Sequence, residues 1–256
     1  ALDTWQKILL LLGVWLWLTP SGFFGKLKAI GYSVCHQIPG RSFHLHNHSF
    51  PLCARCTGMY LGALLALGFQ FLQGRKGKFP PIGTFLLLAV LFLGFALDGI
   101  NSFLHLLPGQ TGWYEPQNWL RLVTGMGAGL CIGAVLAPIF NQTVWADWQD
   151  HSALDTWQKI LLLLGVAGLV VLGILGGFAW IRYPAAILSG LGVLIVLSLV
   201  YTILAVLILK RSNLYRHERE LLLPGLMGLF MALLQIAGID LIRYFLTGAW
   251  SAINLR

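Results

Sequence analysis

Apolar residues along this chain run in long blocks rather than alternating. Stretches of Leu, Val, Ile, Phe, Ala and Gly extend for 16 to 27 positions before a polar or proline-bearing segment interrupts them. A bilayer core needs about 20 mainly apolar residues per helix. On that ruler the pattern predicts about seven spans, roughly 4–19, 54–73, 82–106, 118–140, 158–181, 184–210 and 221–247. Thr19-Pro20, Phe79-Pro80-Pro81, Pro108-Gly109 and Tyr183-Pro184 mark joins between them. The expected class is an all-α integral membrane protein. The run Ile8–Leu18 has the length of a signal-peptide core but no small-x-small cleavage site after it, so it is read as an uncleaved first span.

Composition narrows the picture further. Of 256 residues, 57% are hydrophobic and 10% charged, against about 25% charged in a soluble domain. Soluble enzymes, coiled coils, disulfide miniproteins and disordered chains are excluded on that basis. The formal net charge of +8 does not indicate nucleic acid. The basic residues sit mostly in short loops between apolar runs and form no aromatic-interleaved stripe. Lys7, Arg75, Lys76, Lys78, Lys159, Lys210, Arg211, Arg216 and Arg219 fall on the side of the N-terminus. Lys26, Lys28, Arg41, Arg55, Arg182 and Arg256 fall on the other, with Arg121 and Arg243 near helix ends. This bias predicts a prokaryotic plasma-membrane protein with its N-terminus inside and the 20–53 loop outside.

The polar segment 141–157, with Asp147, Asp150, Asp155, Trp145, Trp148 and Trp157, reads as an interfacial loop. It divides a four-helix half (1–140) from a three-helix half (158–256). Residues 1–14, ALDTWQKILLLLGV, recur unchanged at 153–166 with no similarity in the flanks. A functional repeat extends over a whole supersecondary unit, so no functional argument rests on this one.

Candidate chemistry concentrates in the loop before the second span. Cys53 and Cys56 form a C-x-x-C pair at its mouth, and Cys35-His36 lies upstream. Two thiolates at that spacing can hold one tetrahedral metal, with Cys35 and His36 completing a Cys₃His set for zinc or iron. The same spacing suits a redox dithiol or plain packing of small residues. Arg55, between the thiols, favours a thiolate in either chemical reading. His44, His46 and His48 would share one face of an extended segment and form a secondary metal set, or simply an exposed polar loop. No haem is expected, because Thr57 rather than His follows Cys56 and the spans carry no paired histidines.

Within the third span Asp98, Asn101, Ser102 and His105 share one helical face. An ionisable group there costs about 2.5–3.5 kcal/mol on insertion scales and needs a partner, for which Arg121 is the candidate. Asp240 and Arg243, three apart in the last span, are placed to satisfy each other. Gly125, Gly129 and Gly133, Gly58 and Gly62, and Gly173 and Gly177 keep a four-residue spacing that permits close helix approach. Cys131 reads as a small buried hydrophobe.

The stretch Cys35-His36-Gln37, Pro39, Arg41-Ser42-Phe43 and Pro51-Leu52-Cys53-Ala54-Arg55-Cys56-Thr57-Gly58 resembles the signature of a family of bacterial and archaeal membrane proteins, domain of unknown function 2085. Asp98-Gly99 and Asn118, Arg121 and Thr124-Gly125 resemble its later motifs. The resemblance covers about residues 30–135. It implies one constellation of Cys35, His36, Arg41, Cys53, Arg55, Cys56, Asp98, Asn118 and Arg121, without implying a reaction. The histidine run and the last three spans look like additions to that pattern.

Three functional classes follow. The first is a multi-pass protein with a metal or thiol-redox site, supported by Arg41, Arg55, Asp98, Asn101, His105, Asn118 and Arg121. The second is a non-catalytic accessory subunit of a larger respiratory or photosynthetic complex, suggested by the glycine faces and the scarcity of ionisable groups in the later spans. The third is a small transporter or channel, which has the Asp98 face but no inverted repeat. Membrane lipid is the expected partner throughout, with subunits of such a complex in the second case.

Overall fold

The computed structural model describes residues 3–45, 48–107 and 109–250. It is an all-α membrane protein in which the expected spans are helices, with departures at the start and at the break between the fifth and sixth spans. Helices α1 (Thr4–Leu18) and α2 (Phe23–Tyr32) are bent by 119° across Thr19–Gly22. The first apolar run therefore ends in a short helix that turns sharply away. Gly22 makes the corner at φ 80°, a value accessible to glycine without strain, and Pro20 cannot continue α1.

The remaining helices are α3 (Ala54–Phe71), α4 (Ile82–Leu104), α5 (Asn118–Val144), α6 (Trp157–Leu175), α7 (Ala179–Ile208) and α8 (Leu222–Thr247). Among the described residues, the helical segments 82–104, 118–144, 157–175, 179–208 and 218–247 are each long and apolar enough to cross a membrane, and the bent pair qualifies as a sixth span if counted together. The break between α6 and α7 falls at Gly176-Gly177 rather than at Tyr183-Pro184. Gly177 takes φ 80° there, and Pro184 lies inside α7. Both 14-residue copies begin helices, α1 and α6.

Packing runs in a row, α4–α5–α3–α7–α8–α1, with α6 against α3, α5 and α7, and α2 against α7 and α8. The α3–α5 seam is the tightest. A Cβ on Gly58 would meet Leu122 O, one on Gly62 Met126 O, one on Gly125 Arg55 O and one on Gly129 Met59 O, each at less than a contact distance. The expected glycine face is therefore a backbone-to-backbone contact, the form of association favoured where lipid supplies no hydrophobic drive. Leu86, Val90, Leu93 and Leu97 on α4 and Leu161, Leu162, Leu169 and Leu172 on α6 remain exposed, presenting an apolar surface to lipid.

The two ends of the bundle differ. At one end β3 (Lys76–Lys78) pairs in parallel with β4 (Gln149–Ser152). Arg75 bonds Asp147 and the Arg216 carbonyl, and covers the Trp145 ring at 3.7 Å. Trp145 is buried, because α5 continues to Val144 and folds the indole under Arg75. The other end carries α2, the 109–117 segment and Cys35, Cys53 and Cys56.

Candidate functional site

The thiols are gathered by three local devices. Helix α2 ends at Tyr32 and delivers Cys35 immediately after the turn at Ser33-Val34. The chain then makes a hairpin, β1 (His44–Leu45) with β2 (His48–Ser49), and returns through Pro51-Leu52 to Cys53, the N-cap residue of α3. Cys56 follows at i+3, the helical offset that sets both side chains on one face.

The three Sγ atoms of Cys35, Cys53 and Cys56 lie within 4.8 Å of one another, and all are free thiols. Cys35 Sγ accepts hydrogen bonds from the backbone N–H of Cys53 (3.2 Å) and Gln37 (3.4 Å). Ion-ligating sulfur is stabilised in this way, by donors aimed at it from the second layer.

Electrostatics divides the trio. The Cys53 thiol is held well below the ordinary value, first by its hydrogen bond from Cys35, with Cys56 and the nearby Arg55 charge adding to the effect. The same bond, seen from the other partner, is the main reason Cys35 is pushed up to about 12. Arg41 is lowered by burial and then by the Arg55 charge.

Beneath the thiols lies a polar layer on α4. Arg55 donates from Nε to Asp98 Oδ2 at 3.1 Å, and from Nη2 to Asp98 Oδ2, to the Asp98 carbonyl (2.9 Å) and to Ser102 Oγ (2.7 Å). The ion-pair partner of Asp98 is thus Arg55, not Arg121. The carboxylate also accepts from Tyr114 Oη at 2.9 Å and Thr124 Oγ1 at 3.4 Å, which satisfies an acid only 1% exposed.

Asn101 and His105 hold the 109–117 segment. Asn101 accepts from the Trp113 and Tyr114 N–H groups and donates to the Tyr114 carbonyl, which also contacts His105 Nε2 at 2.9 Å. Asn118 donates to the Gly40 carbonyl at 3.1 Å and accepts from Arg121 Nη1 at 3.1 Å. It thereby ties the 3-10 turn carrying Arg41 (Pro39–Arg41) to the start of α5.

The histidines separate from this group. His36 lines the same pocket as the thiols but is exposed, and its ring nitrogens stand outside the three-sulfur cluster. His44 and His48 are also exposed and sit on opposite strands of the hairpin. The antiparallel register pairs Leu45 with His48 and His44 with Ser49, so His44 and His48 do not share the face of one extended strand. His48 instead stacks on Phe24 at 5.3 Å. His46 lies outside the described residues.

Two residues of the site escaped the sequence-based set. Gln37, at φ 52°, donates from Nε2 to the Lys28 and Pro51 carbonyls, both at 2.7 Å, and so straps the Cys35 segment to the Cys53 segment. Its signal in the sequence was its place in the Cys35-His36-Gln37 stretch that resembles the family signature. Arg243, from the last helix, donates to the Tyr32 carbonyl and to the Cys35 carbonyl (2.8 Å), and its guanidinium lies over the Tyr32 ring at 3.8 Å. Its expected partner Asp240 accepts instead from Trp15 Nε1 at 2.8 Å. Spacing along α8 suggested an intrahelical pair, and helix packing decided otherwise.

Residues 35–135 match the family described as Predicted membrane protein (DUF2085). An uncharacterized protein of Methanothermobacter thermautotrophicus is 34% identical over 111 residues, covering 43% of this chain and 90% of the relative. An uncharacterized protein of Methanocaldococcus jannaschii is 31% identical over 124 residues, covering 48% of this chain and 74% of the relative. No solved structure matches.

Proposed function

This chain belongs to the DUF2085 family of predicted membrane proteins, and from that premise we propose that it binds one zinc or iron(II) ion through Cys35, Cys53 and Cys56 at one end of its helix bundle. The observation that carries this reading is the convergence of three sulfurs within 4.8 Å from two segments 18 residues apart. Thiolates of an ion with Zn–S bonds of about 2.3 Å stand about 3.8 Å apart in tetrahedral geometry. The trio therefore closes on an ion by about 1 Å or less. Both metals accept such soft ligands. Three protein ligands would leave a fourth position on a tetrahedral ion, and the three cysteines line a pocket. In this reading the site lies on the outer face of a prokaryotic plasma membrane, with the N-terminus inside.

Elemental mass spectrometry of the detergent-purified protein, paired with a thiol count under denaturing conditions, tests the proposal. The expected result is about one metal per chain, thiols protected until a chelator is added, and loss of the metal in Cys53→Ser and Cys56→Ser. Metal content unchanged in both variants would overturn it. A metal-free protein with a Cys53–Cys56 disulfide would overturn it too, in favour of thiol redox chemistry.

A further inference from the structure

The pocket beside the thiols holds more positive charge than the thiols and Asp98 can match. It has a volume of about 150 Å³ and is lined by Cys35, Cys53 and Cys56 together with Arg41, Arg55 and Arg121. Arg121 is only 5% exposed, and its one hydrogen-bond partner among the described residues is the neutral Asn118. Its Nε and Nη2 groups are left unengaged. Among the same residues nothing bonds the Arg41 guanidinium. Arg55 spends Nε and Nη2 on Asp98 and Ser102, which leaves Nη1.

Three thiolates around a divalent ion carry one net negative charge and Asp98 a second, against three guanidinium charges. One positive charge remains uncompensated in a half-buried place, where an unpaired ion is unfavourable. Guanidinium groups present N–H donors in the fork geometry that suits oxyanions. The cavity is well below the roughly 300–1,000 Å³ of sites for drug-sized ligands, so the occupant is a small group.

We propose that Arg41, Arg55 and Arg121 form a binding site for a phosphate group, placed at the open fourth position of the three-thiol metal centre. The placement at the metal rests on the reading above, whereas the arginine site itself is independent of it. The phosphate group is either free inorganic phosphate or the headgroup of a membrane phospholipid.

The test uses full-length protein in detergent, with metal content measured on every sample. Inorganic phosphate is titrated by calorimetry, and lipid bound after purification is identified by native mass spectrometry. The variants are Arg41→Gln, Arg121→Gln and the conservative Arg121→Lys. Loss of one charge-assisted contact weakens binding about tenfold or more, so each Gln variant should bind phosphate, or retain phospholipid, that much less, with metal content unchanged. Arg121→Lys should fall between, because a lysine keeps the charge and loses the fork.

Saturable phosphate binding identifies the free anion as the source, and retained phospholipid displaced only by lipid identifies the headgroup. Either supports the site. Metal bound as in the wild type, with neither ligand detected or with affinities unchanged in both Gln variants, overturns the anion site and leaves the metal reading standing. Arginine-dependent phosphate binding to a wild-type protein that holds no metal overturns the metal reading and the placement on it, while retaining the arginine site. Arg41→Gln, on a partly exposed turn, provides a folded control if Arg121→Gln does not accumulate.

Discussion

Gln37 keeps a left-handed backbone while its amide bonds two carbonyls from different segments. Losing those bonds in Gln37→Ala should cost about 1–3 kcal/mol of stability. The larger effect should be on the metal, with affinity falling about 10–100-fold, read by competitive chelator titration; unchanged affinity would remove Gln37 from the site. Arg55 and Asp98 invite a second test. Arg55→Ala strands a carboxylate that is 1% exposed and should destabilise the protein by about 3–5 kcal/mol in thermal unfolding, whereas the double variant Arg55→Met/Asp98→Leu should recover much of that loss. A double variant as unstable as the single one would refute the assignment of this cost to the stranded charge. At this scale the cysteines and Asp98 were legible because their residue types are unusual in or beside apolar helices, and Asn118 only through the resemblance to the family's later motifs. Gln37 and Arg243 were not, because each acts on backbone carbonyls that sequence does not bring near it.

Helices α3 and α5 are held together by a seam in which glycine backbones touch the facing carbonyls. This seam also sets the site, since it carries Arg121 on α5 to Cys53 and Cys56 on α3. Gly125→Val and Gly129→Leu insert side chains where a Cβ already collides with backbone. Each should cost about 3 kcal/mol or more and reduce metal retention in parallel, seen as lower monodisperse yield and a lower unfolding midpoint. Gly94→Ala, in open space on α4, is the matched control and should be neutral or slightly stabilising. Equal behaviour of the two glycine classes would contradict the seam. The four-residue glycine spacing announced this contact in the sequence. The bend between α1 and α2 and the shift of the α6–α7 break to Gly177 were less legible, because proline marks where a helix is strained rather than where the chain must turn.

Viewed whole, the molecule has one end rich in lysine and arginine, several of them in ion pairs, and a thiol end where Arg243, Lys26 and Arg182 bond backbone carbonyls while Arg41 and Arg121 face the pocket. At the thiol end Arg243 serves the Cys35 loop, Lys26 bonds the Leu16 and Thr19 carbonyls, and Arg182 bonds the Ile174 carbonyl at the end of α6. Such groups complement helix C-termini and say little about topology. The proposal of an inside N-terminus rests on the lysine and arginine excess in the loops at the Arg75 end. An epitope inserted after Gln110 should therefore be labelled on intact cells, and one after Arg211 only after permeabilisation. The reverse pattern would invert the proposed orientation.

Apolar block length alone determined that the chain is a helical membrane protein and roughly where its spans lie, because hydrocarbon thickness sets a length that any spanning helix must meet. The C-x-x-C pair with Cys35 also announced the thiol group, since such residues are rare and local spacing puts two of them on one face. Which charges pair, which histidines stay away, and that three arginines share a pocket with the thiols were decided only by tertiary structure. Those contacts join residues 43 to more than 200 positions apart, and they depend on which helices pack side by side, which periodicity within a single segment does not encode.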